Sequence, residues 1–119
     1  TLKLWGRVMA RLNLDEELKL VWSLMSIEDF VQSRSNPQDI PFILEKIKDN
    51  YSSSNIFMVL YNEKTDIVNG MIKCGDPEMV KKIVEAFEGN AKQDIVSFRL
   101  EGKNILEAEK EALEKLKKM

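Results

Sequence analysis

The run Ile56-Phe57-Met58-Val59-Leu60-Tyr61 is the feature that most constrains this chain. Six apolar residues are too few for a typical helix, and they do not alternate with polar ones. Such a run suits a strand buried on both faces. A strand of this kind has to lie inside a sheet with other elements packed on each side. Asn62-Glu63-Lys64-Thr65-Asp66 reads as a turn, so a hairpin to a second strand over 67–74 is expected. In that strand Val68, Ile72 and Cys74 share one face, while Asn69, Met71 and Lys73 share the other.

The elements to cover the sheet are also legible. Leu4, Trp5, Val8, Met9 and Leu12 recur at helical spacing, which predicts an amphipathic helix over 2–12. A strand is expected over 18–25. Ser26 followed by Glu28 and Asp29 reads as a helix cap opening a short helix over 27–33. A loop around Pro37 follows. Ile40, Ile43, Leu44 and Ile47 mark the next helix, with Pro41 tolerated in its first turn. Asp76 and Pro77 start a helix whose buried stripe is Met79, Val80, Ile83, Val84 and Phe87, with Gly89 as its C-terminal cap. Residues 95–100 alternate as a strand, with Val96, Phe98 and Leu100 on one face and Ile95, Ser97 and Arg99 on the other. A last helix is expected over 104–118. The order is helix, strand, two helices, two strands, helix, strand, helix. That predicts a single α/β domain with a mixed β-sheet and helices packed against it.

Composition narrows the chemistry. The 119 residues include 18 Lys and Arg against 20 Asp and Glu, a net charge of −2, so no general basic field draws the chain onto nucleic acid. Any phosphate binding has to come from a local patch. There is no histidine, which removes the commonest general base and metal ligand and every Ser-His or Cys-His nucleophile. The single Cys74 excludes an internal disulfide and a cysteine-rich zinc site. A reducing, cytoplasmic setting is the expectation, with no membrane span and no signal-peptide pattern. The chain opens on Thr1 and is expected to continue a longer one.

Few residues stand out as chemistry. Glu107, Glu111 and Glu114 read as a solvated helix face, and Cys74 as an inert thiol at a strand end. Trp5 and Trp22 read as core packing before base stacking. Gly89-Asn90-Ala91-Lys92 reads either as an ordinary cap and turn or as a backbone loop that meets a phosphate, with Lys92 neutralising its charge. Lys73 and Arg99 lie on the polar faces of two strands, and both can reach a phosphate if those strands face the same way. On these residues alone the chain is a binding or regulatory module without its own catalytic centre.

The ordered set Leu2–Glu17, Val21–Phe30, Asn55–Glu63 and Phe87–Gly102 resembles the C-terminal part of DHH-family phosphoesterases, which include RecJ-like exonucleases and nanoRNases. The resemblance covers nearly the whole chain. Where the family has S-x-R-S this chain has Met71-Ile72-Lys73-Cys74, and where it has G-G-G-H this chain has Gly89-Asn90-Ala91-Lys92. Lys73 keeps a positive charge without the planar fork of Arg, and Lys92 replaces a group that titrates near neutrality.

The resemblance implies that residues 1–17 connect to an N-terminal DHH catalytic domain and that 18–119 form the DHH-associated substrate-binding domain. It implies substrate contacts from Lys73, Gly89, Asn90, Lys92 and Arg99, with no catalytic or metal-ligating residue and no cofactor on this chain. Divalent metal, Mn or Mg, would sit in the other domain and activate water for phosphodiester hydrolysis. The expected partners are short single-stranded nucleic acid or a nucleotide, and that catalytic domain; homo-oligomerisation is left open. The alternative is a non-catalytic protein-interaction module of a replication or repair assembly. A small-ligand sensor domain is a third reading.

Overall fold

The computed structural model describes residues 2–119 and shows a six-stranded sheet covered by helices. In chain order the elements are α1 (Leu2–Met9), β1 (Asn13–Asp15), β2 (Leu20–Met25), α2 (Ile27–Ser33), α3 (Ile40–Asn50), β3 (Ile56–Lys64), β4 (Ile67–Cys74), α4 (Pro77–Phe87), β5 (Asn90–Lys92), β6 (Ile95–Glu101) and α5 (Ile105–Lys117). A 3-10 turn over Pro37–Asp39 leads into α3. The strands lie in the order β1-β2-β3-β4-β6-β5. β2 and β3 are parallel and every other pair is antiparallel, so the sheet is mixed, as the element order predicts.

The apolar run carries the design. Ile56, Met58 and Leu60 enter one core; Phe57 and Val59 enter the other. The first core lies under α4 and α5, where Ile83, Phe87, Ala108, Ala112 and Leu116 meet Val68, Ile72, Val96, Phe98 and Leu100. The second lies under α1, α2 and α3 and is built from Leu4, Val8, Phe30, Ile40, Ile43, Leu44 and Ile47 over Val21, Met25, Phe57 and Val59. Parallel pairing of β2 with β3 requires a crossover, and α2 and α3 supply it, which places both on this second face.

The caps form as their residues dictate. The Ser26 side chain accepts from the Asp29 backbone N–H, and Asp29 accepts in return from the Ser26 N–H at 2.8 Å. Asp76 caps α4 with Pro77 in its first turn, and Asn104 with Glu107 forms a reciprocal cap on α5. Asp29 does more than cap. Its carboxylate is buried and also takes bonds from Arg7, at 2.8 Å, and Arg11, which tie the start of the chain to α2.

Several expectations need correction. α1 ends at Met9, three residues short of 12, and the strand expected over 18–25 begins at Leu20. β1 is a short strand in the stretch between the expected helix and strand, and β5 is a short strand where a turn or loop is expected. Gly89 is not the cap of α4. Glu88 takes that role in the left-handed region at φ 51°. Gly89 serves the sheet instead, because a Cβ there would stand 2.7 Å from the Ser97 carbonyl oxygen. α1 and β1 belong to the core and sheet described above: Leu4 and Val8 are buried, and β1 pairs with β2.

Candidate functional site

The two faces of the sheet are covered unequally. Under α4 and α5 the cover reaches β6, where Val96, Phe98 and Leu100 are all buried. On the opposite face the buried residues come from α1, α2, α3, β2 and β3 alone among the described residues assigned to that core. On that face Ile95 of β6 is half-buried against this core, and the rest of β6 and β5 is open. Ser97 and Arg99 on β6, and Asn90 and Lys92 on β5, are exposed.

Register puts most of the expected site residues on this open side. Residues directly opposite in a ladder project from the same face. Lys92 pairs with Ile95, and Ile95 with Lys73. Asn90 pairs with Ser97, and Ser97 with Met71; Arg99 pairs with Asn69. Lys73, Asn90, Lys92 and Arg99 thus share one face, which meets the condition set for Lys73 and Arg99 and adds the two residues of β5. Gly89 lies just before β5, and its Cα points toward Val96 and Phe98 on the other side. It lets β5 approach β6 and carries no functional group of its own.

The three cations differ sharply in their surroundings. Lys73 is buried, and its ammonium lies 2.7 Å from Asp94 and 3.0 Å from Glu45. Burial disfavours its charge, but the bonds to the two carboxylates outweigh that and raise its pKa above the usual lysine value. Arg99 is half exposed and lies 2.5 Å from Glu63, which also accepts from Asn69 at 2.8 Å. Lys92 has no carboxylate within ion-pair distance among the described residues. The face thus carries one cation without a carboxylate partner among the described residues, one paired at the surface and one buried in a pair.

Two depressions flank the strip. A cleft of about 690 Å³ opens at the end of the sheet where β4 finishes and β3 begins, with Lys73, Asp94, Lys48 and Ser54 in its wall. A smaller groove of about 320 Å³ lies at the other end, between α2 and the carboxyl-terminal half of β3. Among the described residues no group of three or more Cys, Asp or Glu converges closely enough to hold a metal ion, and no helix is long and apolar enough to cross a membrane.

Sequence reading missed the partners of these cations. Asp94 is adjacent to β6, and Asn69 shares a face with Lys73, so both were within reach of an alternation argument. Glu45 and Glu63 come from α3 and the far end of β3, and nothing local announces them. Cys74 is buried and Trp22 packs against the first core while its indole N–H donates to Glu109 at 2.8 Å, so both take structural roles.

No family model matches the chain, and no curated protein matches it. Its fold is similar to that of the crystal structure of an exopolyphosphatase-related protein from Bacteroides fragilis, with a TM-score of 0.79 at 15% identity, over 98% of this chain and 34% of that one. The chain thus matches about a third of that protein's length. At this identity the likeness shows a shared α/β fold.

Proposed function

We propose that this chain is the substrate-binding domain of a DHH-type phosphoesterase, and that its open sheet face receives the phosphates of a short single-stranded nucleic acid or nucleotide. The observation that carries this reading is the register that aligns Asn90, Lys92 and Arg99 on an exposed stretch of β5 and β6, with Lys73 on the same face but buried at its border. The sequence resemblance and the fold shared with an exopolyphosphatase-related protein support it. A polyphosphate presents the same run of anionic oxygens, so it belongs among the ligands to try.

Lys92 is the principal phosphate contact, because its charge is not already taken. Arg99 contributes through Nη1, which donates no hydrogen bond among the described residues, while Nη2 stays on Glu63. Asn90 donates a neutral hydrogen bond, and Gly89 keeps β5 close to β6. Hydrolysis belongs to a separate catalytic domain, whose Mn or Mg ions would activate the attacking water. This chain holds and orients the substrate. The single buried Cys74 suits a reducing, cytoplasmic setting.

The test is fluorescence anisotropy with a labelled four-nucleotide single strand across a salt series. Lys92→Ala is expected to weaken binding and to lower the slope of log affinity against log salt by about 0.7, the value of one single-strand phosphate contact. An unchanged affinity and slope would remove Lys92 from the site.

The pairing of Lys73 and Arg99 with carboxylates favours a second reading, a protein-interaction module that no longer binds substrate. Absence of oligonucleotide and polyphosphate binding at low salt selects that reading.

A further inference from the structure

We infer that the groove between α2 and the carboxyl-terminal half of β3 is a nucleobase site, which selects a base carrying an amino group through Glu63 and Asn69. The inference rests on the phosphate-binding reading of the adjoining face and adds to it the part of the ligand that is read.

The position is the first argument. β2 and β3 are the sheet's parallel pair, and the groove lies just beyond the end of β2, where Ile27 begins α2. Crevices outside the carboxyl ends of parallel strands are where α/β sheets receive ligands. The volume, about 320 Å³, is at the small end of the roughly 300–1,000 Å³ of small-molecule sites and suits a base with part of its sugar.

The walls are the second argument. Ile27 and Val31 stand one turn apart on α2 and are 46% and 69% exposed, so each offers aliphatic surface to a flat ring. Tyr61 also lines the groove and is held edge-to-face against buried Phe30, with ring centroids 5.4 Å apart. An apolar slot with one firm aromatic side fits a planar heterocycle and gives an aliphatic chain no specific seat.

The polar end is the third argument. Glu63 and Asn69 both line the groove. Glu63 Oε1 already accepts from Asn69 Nδ2 at 2.8 Å and from Arg99 Nη2 at 2.5 Å, which holds the carboxylate in place. Its Oε2 has no hydrogen bond from the described residues, so one acceptor is free to take an N–H from a ligand. The Asn69 bond and the Arg99 guanidinium hold the Glu63 carboxyl below its usual range, so the acceptor is present as the anion at neutral pH. Adenine, cytosine and guanine offer an exocyclic amino group. Uracil offers one N–H flanked by two carbonyl oxygens, which the carboxylate repels.

The spacing is the fourth argument. Arg99 sits behind the polar end, and Ile95, in the same row as Lys92, is four residues along β6. That is about 13 Å at strand rise, a span that roughly two to four nucleotides cover. A base in the groove therefore places following phosphates along β6 toward Lys92.

The experiment compares labelled A4, C4 and U4 single strands by anisotropy, with amide NMR shifts as a second readout. A4 and C4 are expected to bind about tenfold more tightly than U4, the worth of a hydrogen bond to a charged group, and to shift Val31, Tyr61 and Asn69. Glu63→Gln is expected to bring the three within about twofold of one another, since an amide also donates to uracil carbonyls. Equal affinities in the native protein, with Lys92→Ala still weakening all three, would overturn the base site and leave the phosphate reading intact. If none of the strands binds, the phosphate reading falls, and adenosine and uridine, which carry no phosphate, decide the groove by NMR. Shifts at Val31 and Tyr61 with adenosine alone sustain it; shifts with neither, or with both alike, overturn it.

Discussion

Lys73 on β4 and Lys92 on β5 project from the same row of the sheet, with Ile95 between them, yet Lys73 is buried in a pair with Asp94 and Glu45 while Lys92 stands exposed. One strand's width separates a cation that holds the fold from one available to a ligand. The pair therefore makes a separable test. Lys73→Ala leaves two carboxylates facing each other without their common partner and is expected to cost about 2 kcal/mol in urea unfolding, below the full cost of a dry pair because Asp94 and Glu45 keep access to water. Lys92→Ala is expected to change stability by less than about 0.5 kcal/mol. Equal losses in the two variants would contradict the division of roles. The pH sign follows from the raised lysine pKa: the Lys73 contribution is complete below the ordinary value of 10.5 and is lost as pH climbs through the higher folded value.

Asp29 ties α2 to the chain's start. Burial raises its pKa, but bonds from Arg11, Ser26 and Arg7 outweigh that and leave it at about 2, against an ordinary 3.8. A carboxylate depressed in the folded state stabilises above its unfolded pKa, here by about 2 kcal/mol, and that contribution disappears as pH falls from about 4 to 2. Asp29→Asn keeps the shape and loses the charge. It is expected to cost at least about 2 kcal/mol at pH 7 and to flatten the acid limb of stability measured between pH 5 and 2. An unaltered acid limb would show that other carboxylates control it.

Gly70 sits on β4 beneath the Phe98 ring, and an added Cβ would meet that ring and come within 2.7 Å of Leu60 Cδ2. Gly70→Ala is expected to cost about 1–3 kcal/mol through overpacking. At Gly89 the obstacle is the Ser97 backbone carbonyl, which has no rotamer to escape into. Gly89→Ala is expected to push β5 off β6, weaken oligonucleotide binding and raise amide exchange in Asn90–Lys92 more than elsewhere. Uniform exchange along β5 and the core strands would contradict this.

Cys74 ends β4 buried against the first core, and burial pushes its thiol pKa up. Its reaction with a thiol reagent at pH 8 is expected to be on the order of 100-fold slower in the native protein than in denaturant. A native rate near that of a free thiol would mean the end of β4 opens readily.

The elements that sequence made legible are those with strong local signals. The unbroken apolar run at 56–61 required cover on both faces, and its alternate residues do enter two separate cores. Ser26, Asp76 and Pro77 set helix starts because a cap is a contact within one turn. Alternation put Lys73 and Arg99 each on the polar face of its own strand, and the pairing of β4 with β6 made that face a common one. β1 and β5 escaped because three residues carry too little periodicity, and because the Gln93-Asp94 turn between β5 and β6 lacks the Asn or Gly that usually marks a two-residue hairpin; Gln93 takes a positive φ of 58° all the same. Gly89 looked like a cap because glycine after a helix usually is one, whereas here the close approach of β6 is what demands it.

Sequence alone thus determined the fold class, the order of the principal elements, the faces of the main strands and the absence of histidine chemistry, since each depends on neighbours a few residues apart. Only the tertiary structure decided which cations are free. Glu45 reaches Lys73 from 28 positions away and Glu63 reaches Arg99 from 36, and such pairs exist only once the sheet has closed. The unequal cover of the sheet has the same origin: α1, α2 and α3 gather over β2 and β3 because the parallel crossover puts two of them there, and Asn90 and Lys92 on β5 and Ser97 and Arg99 on β6 are left exposed.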